Sequence, residues 1–247
     1  MPRYDFRTPR LYVDAPLAAG AKVTLEASQV NYLRNVLRRK AGEAVLVFNG
    51  RDGEWRGTLA EAGKRNVLLV IEKPIRAQTA APDLHYLFAP LKHARLDYMV
   101  QKAVELGVSR LQPVLTRHAQ VARVNLDRMR ANAVEAAEQC GILTLPEVAQ
   151  PVTLDRMIAE RDPGRILVFC DEDAEVKDPI AALSALRPSE ALAVLIGPEG
   201  GFAEDERAAL VALPNVLRLA LGPRILRADT AAVAALALVN AAVGDWR

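Results

Sequence analysis

The chain has 247 residues, 51% of them hydrophobic and 25% charged, which allows a substantial core in one large or two small domains and leaves no low-complexity tract. The formal net charge is only +2, yet it is unevenly spread: residues 1–78 carry 14 Lys and Arg against 8 Asp and Glu, and the remainder carries 18 against 22. Two cysteines, Cys140 and Cys170, with no CxxC pair speak against a disulfide framework and a structural zinc site and point to a reducing cytoplasm.

The segment from Met1 to Tyr12 holds three arginines and no apolar run, so it is not a secretory signal. Short strands are expected at Lys22–Leu25, Val45–Phe48, Glu54–Leu59 and Val67–Ile71, with turn signals at Asn49-Gly50, Asp52-Gly53 and Ala62-Gly63 between them. One helix interrupts them, with Ser28 as the expected N-cap and Val30, Leu33 and Leu37 at helical spacing. Its continuation is basic, and Arg34, Arg38 and Lys40 can share a polar face that offers charge to phosphates, or simply faces solvent. This first unit reads as a small β-barrel-like domain. The stretch Lys73 to Pro82 has two prolines and no apolar periodicity and reads as a linker, dividing the chain into residues 1–74 and 82–247 around residues 75–81.

Beyond Leu84 the pattern becomes strand–helix alternation. Strands are expected at Leu84–Ala89, Leu111–Leu115, Arg165–Cys170, Leu192–Ile196 and Val216–Leu221. Helices are expected at Arg95–Glu105, Leu126–Cys140, Pro179–Leu186, Glu204–Leu213 and Thr230–Val243. This order argues for a mainly parallel sheet covered on both faces. The Ala-rich run after Thr230 is too short to span a bilayer and is broken by Asn240, so it reads as a buried helix.

Two strand–loop–helix passages carry the strongest local signal. The first runs Ala193-Val194-Leu195-Ile196-Gly197-Pro198-Glu199-Gly200-Gly201-Phe202, the second Val216-Leu217-Arg218-Leu219-Ala220-Leu221-Gly222-Pro223-Arg224-Ile225-Leu226-Arg227-Ala228-Asp229-Thr230-Ala231. Glycines after a strand let the backbone approach a ligand closely. The same pattern suits an ordinary strand–helix turn, and neither loop is a GxGxxG fingerprint or a P-loop. Asp229 or Thr230 can cap the last helix, whereas Arg224 and Arg227 on a loop can bind phosphate or a base edge. In the helix at 126–140, Glu138 and Gln139 sit at the end where the dipole disfavours acid, so a functional or interface role is open. Cys140 reads as a buried small residue. His85, His93 and His118 show no ligand spacing, so no metal site is expected.

In order and in layout, these motifs resemble one family, the SPOUT-class methyltransferases of the RsmE type. The resemblance rests on the basic helix through Leu37-Arg38, Gln101-Lys102 to Glu105-Leu106-Gly107, Glu135-Ala136-Ala137-Glu138-Gln139, Ile196 to Gly201, and Leu221 to Arg227. It implies an α/β fold: a C-terminal domain with a parallel sheet and a trefoil knot, plus a small N-terminal PUA-like β-barrel. It implies a homodimer that acts on 16S ribosomal RNA or the small ribosomal subunit, methylating uridine N3 with S-adenosylmethionine. Carried onto this chain, the donor site comprises Leu195, Ile196, Gly197, Pro198, Glu199, Gly200, Gly201, Leu219, Leu221, Gly222, Arg224, Leu226 and Ala228. The strand end Cys170-Asp171-Glu172 is its third wall. Arg227 and Asp229 take the catalytic roles, and Arg34, Arg38, Lys40, Lys92 and Arg224 bind RNA. Asp229 stands where Glu is usual in the family, which keeps the charge and shortens the reach. On the residues alone, a non-catalytic RNA-binding assembly factor is a second reading and a dinucleotide-dependent enzyme a third.

Overall fold

The computed structural model describes residues 5, 7–62, 66–175, 178–187 and 190–246. The turn expected at Ala62-Gly63 lies partly outside them. The chain forms two compact units, one of residues 1–80 with 137–145, the other of residues 81–136 with 146–247.

The first unit holds β1 (Arg10–Tyr12), β2 (Lys22–Thr24), α1 (Ala27–Asn31), β3 (Ala44–Phe48), β4 (Glu54–Ala62) and β5 (Asn66–Arg76). Its sheet has the order β1-β3-β4-β5-β2, with β1 parallel to β3 and the other pairs antiparallel. Among the described residues the edge strands β1 and β2 do not pair, so the expected barrel is an open, curled sheet. Alternate residues of the strands, among them Val45, Val47, Leu69 and Ile71, fill one core with Leu33 and Leu11. β5 runs through Pro74 to Arg76, four residues into the expected linker. A proline is tolerated there because β2 pairs only with Leu68–Val70, and β4 is irregular opposite Pro74.

The first helix departs from its expected form. Its N-cap is Glu26, not Ser28, and Gln29 Oε1 accepts the Glu26 N–H at 2.9 Å, closing the end as a capping box does. After Asn31 the helix widens into a π-helical turn over Tyr32–Val36, where the Leu37 N–H reaches Tyr32 O. Arg38 then adopts φ 55°. Arg38 and Lys40 therefore lie beyond the helix, and the expected shared face with Arg34 does not form. Arg34 pairs instead with Glu61 at 3.2 Å.

The second unit contains β6 (Leu84–Phe88), α2 (His93–Glu105), β7 (Arg110–Leu115), α3 (Leu126–Cys140), β8 (Glu147–Val148), β9 (Val152–Thr153), α4 (Leu154–Glu160), β10 (Ile166–Cys170), α5 (Pro179–Ser184), β11 (Leu192–Ile196), α6 (Glu204–Val211), β12 (Val216–Leu219) and α7 (Ala228–Ala242). The last residues of α3, from Ala137, count with the first unit. The sheet order is β12-β10-β11-β6-β7-β8, parallel throughout. On one face Leu87, Leu167, Phe169, Ala193 and Leu195 pack with Leu154 and Met157 of α4 and Leu210 of α6. α7 packs on β11 and on α2 and α5. Its alanines at 232, 235 and 242 are buried, which allows that close approach. Asn240, polar and buried, donates to Leu106 O at 2.8 Å and so satisfies a carbonyl left open at the end of α2.

The end of α3 is held inside the first unit. Gly141 takes φ 69°, and the Ile142 N–H bonds back to Ala137 O, a glycine-closed helix end. Arg10 donates to the same carbonyl and, at 2.5 Å, to Ile142 O, while Arg76 donates to Gly141 O at 2.8 Å. Both arginines grip the buried Glu54 carboxylate, Arg10 at 2.5 Å and Arg76 at 2.7 Å. Glu138 accepts the Tyr12 N–H at 2.8 Å, a structural use for an acid that the helix dipole disfavours. Cys140, expected to be buried, is exposed, because the helix buries its preceding small residues Ala136 and Ala137 instead.

Candidate functional site

The sheet changes direction at β10. The chain goes from β10 to β11 on one side, then returns over β10 to β12 on the other. Ligands in open parallel sheets bind at such a switch, outside the carboxyl ends of the strands. A cleft of about 710 Å³, including its open mouth, lies there.

Three strand ends make its walls. Cys170 ends β10, and Asp171 and Glu172 follow it. Ile196 ends β11, and Gly197, Pro198, Glu199 and Gly201 follow it. Leu219 ends β12, Leu221, Gly222, Arg224 and Leu226 come from the loop after it, and Ala228 begins α7. Two expected donor-site residues lie elsewhere. Leu195 is fully buried in the core beneath, and Gly200 does not line the cleft but turns toward His118. Phe202, Ile225 and Ala231, which belong to the same two strand–loop–helix passages, also line the cleft. Arg227 and Asp229 flank lining residues without lining the cleft themselves.

The first loop is shaped by its glycines. A Cβ on Gly197 would stand 2.5 Å from the Phe202 ring, so only glycine lets that ring fold back under the loop. Phe202 in turn meets Phe169 edge-on at 5.3 Å between centroids. Gly201 takes φ 71°. The outside of the loop is tied down by side chains. His118 Nδ1 lies 3.1 Å from Gly201 O. Gln120 donates to Glu199 Oε2 at 2.8 Å, and Arg95 of α2 pairs with Glu199 Oε1. Glu199 therefore borders the cleft with its carboxylate already engaged.

Asp171 anchors the β10 wall. Its side chain is 2% exposed, and it accepts from Arg207 at 3.1 Å and from Arg218 at 2.9 Å. Burial alone would raise its carboxyl, but the hydrogen bonds from Arg207 and Arg218 outweigh that and hold it below the usual range. It remains a fixed anion that sets the strand end. Burial pushes the neighbouring Cys170 thiol up to about 12, so it is no nucleophile. The loop after β12 is the contrasting wall. Arg224, Ile225 and Arg227 are exposed, Ile225 at 96%. Neither Arg224 nor Arg227 has a hydrogen-bond or ion-pair partner for its guanidinium among the described residues. Arg227 is the N-cap residue of α7, and Asp229 sits in its first turn with Oδ1 accepting the Thr230 N–H at 3.0 Å.

Chemically, the cleft offers glycine backbone, apolar surface from Ile196, Leu219 and Leu226, and the carboxylates Glu172 and Glu199. That set suits a ligand with a flat apolar part and a positive charge. Among the described residues no three His, Cys, Asp or Glu side chains cluster as a metal site would need.

Comparison with known proteins gives the same picture from another direction. A family model described as an RNA methyltransferase domain matches residues 78–240, and one described as an RNA methyltransferase PUA domain matches residues 25–72. The chain is 30% identical to ribosomal RNA small subunit methyltransferase E of Synechocystis sp., over 94% of this chain and 77% of that one. It is 29% identical to the protein of that name from Rickettsia conorii, over 94% of each. A solved ribosomal RNA small subunit methyltransferase E from Neisseria gonorrhoeae, bound to S-adenosyl methionine, is 27% identical. It superposes with a TM-score of 0.87 over 98% of this chain and 100% of that one. A Legionella pneumophila structure with bound SAM is 29% identical with a TM-score of 0.83, covering 96% of this chain and 98% of the other.

Proposed function

The chain belongs to the ribosomal RNA small subunit methyltransferase E family of RNA methyltransferases, and we propose that it methylates N3 of a uridine in 16S ribosomal RNA with S-adenosylmethionine as donor. The observation that carries this reading is the cleft at the ends of β10, β11 and β12, which gathers 11 of the 13 donor-site residues expected from the sequence. Its residues fit the donor. Gly197 cradles a close approach, apolar side chains suit an adenine ring, and Glu172 and Glu199 suit a cationic amino-acid end. When bound, the donor supplies an electrophilic methyl group.

The remaining chemistry falls to this chain's own side chains. Uridine N3 is protonated at neutral pH and must lose that proton before it attacks. In this reading the exposed guanidinium of Arg227 stabilises the uridine anion, and Asp229, in the first turn of α7, accepts the proton or orients the base. Alignment of acceptor and donor can supply roughly 7–11 kcal/mol of the barrier reduction. Arg34, Arg38, Lys40, Lys92 and Arg224 contribute charge toward the RNA backbone. The two loops are also those that the resemblance assigns to a trefoil knot.

The homodimer is part of the same proposal. Tyr98 of α2, Ile180 of α5 and Trp246 beyond α7 are large apolar side chains 45%, 56% and 58% exposed, and α7 packs against both α2 and α5, so a second copy has an apolar helical surface to cover. Light scattering after size exclusion tests it. Among the described residues no helix is long and apolar enough to cross a membrane, and ribosomal RNA as substrate implies a cytoplasmic location.

A thermal shift with S-adenosylmethionine and, in parallel, with NAD tests the donor assignment. A ligand that binds the folded state raises Tm by mass action. A rise with the methyl donor alone supports the proposal. No rise with it, together with no methyl transfer to RNA, favours the non-catalytic assembly factor.

A further inference from the structure

A second cleft, of about 790 Å³ with its open mouth, lies on the other side of the first loop. Pro198 and Glu199 line both clefts and form the wall between them. The second is otherwise lined by the turn into α2, with Lys92 and Arg95, and by Gln120. Its polar groups are thus two cations, an amide and the Glu199 carboxylate. Lys92 is exposed, and its ammonium has no partner among the described residues. His93, next to it, holds φ 33°, a left-handed conformation that is costly for a residue with a Cβ and that clusters at ligand sites. Arg95 is paired with Glu199, which also accepts from Gln120.

We propose that this second cleft binds a backbone phosphate of the RNA beside the acceptor nucleotide, held by Lys92 and Arg95, and that Glu199 occupies Arg95 as an internal stand-in for that phosphate. This rests on the RNA methyltransferase reading and adds a subsite to it. A carboxylate and a phosphate offer a guanidinium the same planar pair of acceptor oxygens. The phosphate therefore competes with Glu199 for Arg95, while Lys92 meets it without competition. Because the two clefts share the Pro198–Glu199 wall, a phosphate in the second stands one loop away from a methyl donor in the first.

The opposed charges give tests of opposite sign. Binding of the full chain to fluorescently labelled 16S RNA is measured by anisotropy across a salt series, without methyl donor. Lys92→Ala and Arg95→Ala should each weaken binding about three- to tenfold and flatten the salt dependence by about one phosphate contact, and Lys92→Arg should restore it. Glu199→Gln should bind the RNA about threefold more tightly, because Arg95 is released. Donor affinity of Lys92→Ala, read by calorimetry, should stay within twofold of the unmodified chain, which also reports that the variant is folded. The inference is overturned if Lys92→Ala binds RNA as well as the unmodified chain, or if Glu199→Gln binds no more tightly. If the unmodified chain neither binds nor methylates the RNA, the underlying reading fails. If it methylates normally and only these variants behave alike, the phosphate subsite alone is wrong.

Discussion

Each unit buries one carboxylate between two arginines, and the two clamps do different work. In the first unit, the Glu54 side chain is 2% exposed and Arg10 3%, and the arginines' remaining donors go to the carbonyls that end α3. In the second, Asp171 is equally buried, but Arg207 and Arg218 are 35% and 28% exposed and the clamped strand end forms a wall of the cleft at β10, β11 and β12. The same charge arrangement is thus a closed fastening in one place and the fixed edge of an open site in the other. What separates them is what the clamped carboxylate holds: in the first unit a closed helix end, in the second a strand end that borders a cleft, with Arg218 donating its spare N–H to Asp173 O at 3.0 Å.

The largest effect is expected at the closed clamp. Glu54→Gln strips the counter-charge from two arginines, one of them buried, and breaking such a group by removing one partner costs about 3–5 kcal/mol. Chemical denaturation should show that loss, whereas Asp171→Asn should lose less, because its more exposed arginines recover solvent. Equal losses would erase the distinction between the clamps. At the site, Arg227→Ala should lower kcat by about 10²–10³-fold, the scale of removing one donor that stabilises a developing anion, and Asp229→Asn should lower it less. Donor affinity should be nearly unchanged in both. Normal rates in both variants would remove this pair from the chemistry. Gly197→Ala forces a methyl group onto Phe202 and should weaken donor binding about tenfold, with roughly 1–3 kcal/mol of overpacking cost. Gly42→Ala, at a first-unit turn with open space around it, should leave donor binding alone.

The smallest effect is one of pH. Burial first, and the Arg165 guanidinium second, pull the β6 residue His85 down from 6.5 to about 4. The unfolded chain then binds the extra proton below about 6.5 and the folded chain only below about 4. Stability present at neutral pH is accordingly lost as pH falls through that window. His85→Gln should flatten the stability profile between these limits, as read by urea melts at successive pH values. An unchanged slope would show that His85 is not the group responsible.

The alternation of strand and helix made the second unit legible, since a parallel sheet with covered faces leaves a strong apolar signal in each strand. Both glycine loops were legible for the same reason: they follow strands. Three things were harder to see. β8 and β9 have two residues each, too few to show a period, and are held by pairing with β7. α4 carries its own signal, with the Thr153 hydroxyl accepting the Arg156 N–H and with Leu154 and Met157 buried, but lacks the N-terminal proline that marks the similarly short α5. The clamps were illegible in principle, because Arg10, Glu54, Arg76 and Gly141, like Asp171, Arg207 and Arg218, meet only through the fold. Of the basic residues after Asn31, the sequence suggested one helical face. The π-helical turn and the left-handed Arg38 disperse it, a local backbone choice that apolar spacing does not encode.

Whether the cleft at β10, β11 and β12 serves methyl transfer to ribosomal RNA is read most directly by incubating the purified chain with isotopically labelled S-adenosylmethionine and 16S ribosomal RNA, free or in small subunits. The modified nucleotide is then mapped by mass spectrometry. One labelled 3-methyluridine, absent with Arg227→Ala, is the predicted result. Donor that binds without any label reaching the RNA, or label on a different atom or base, would contradict the account.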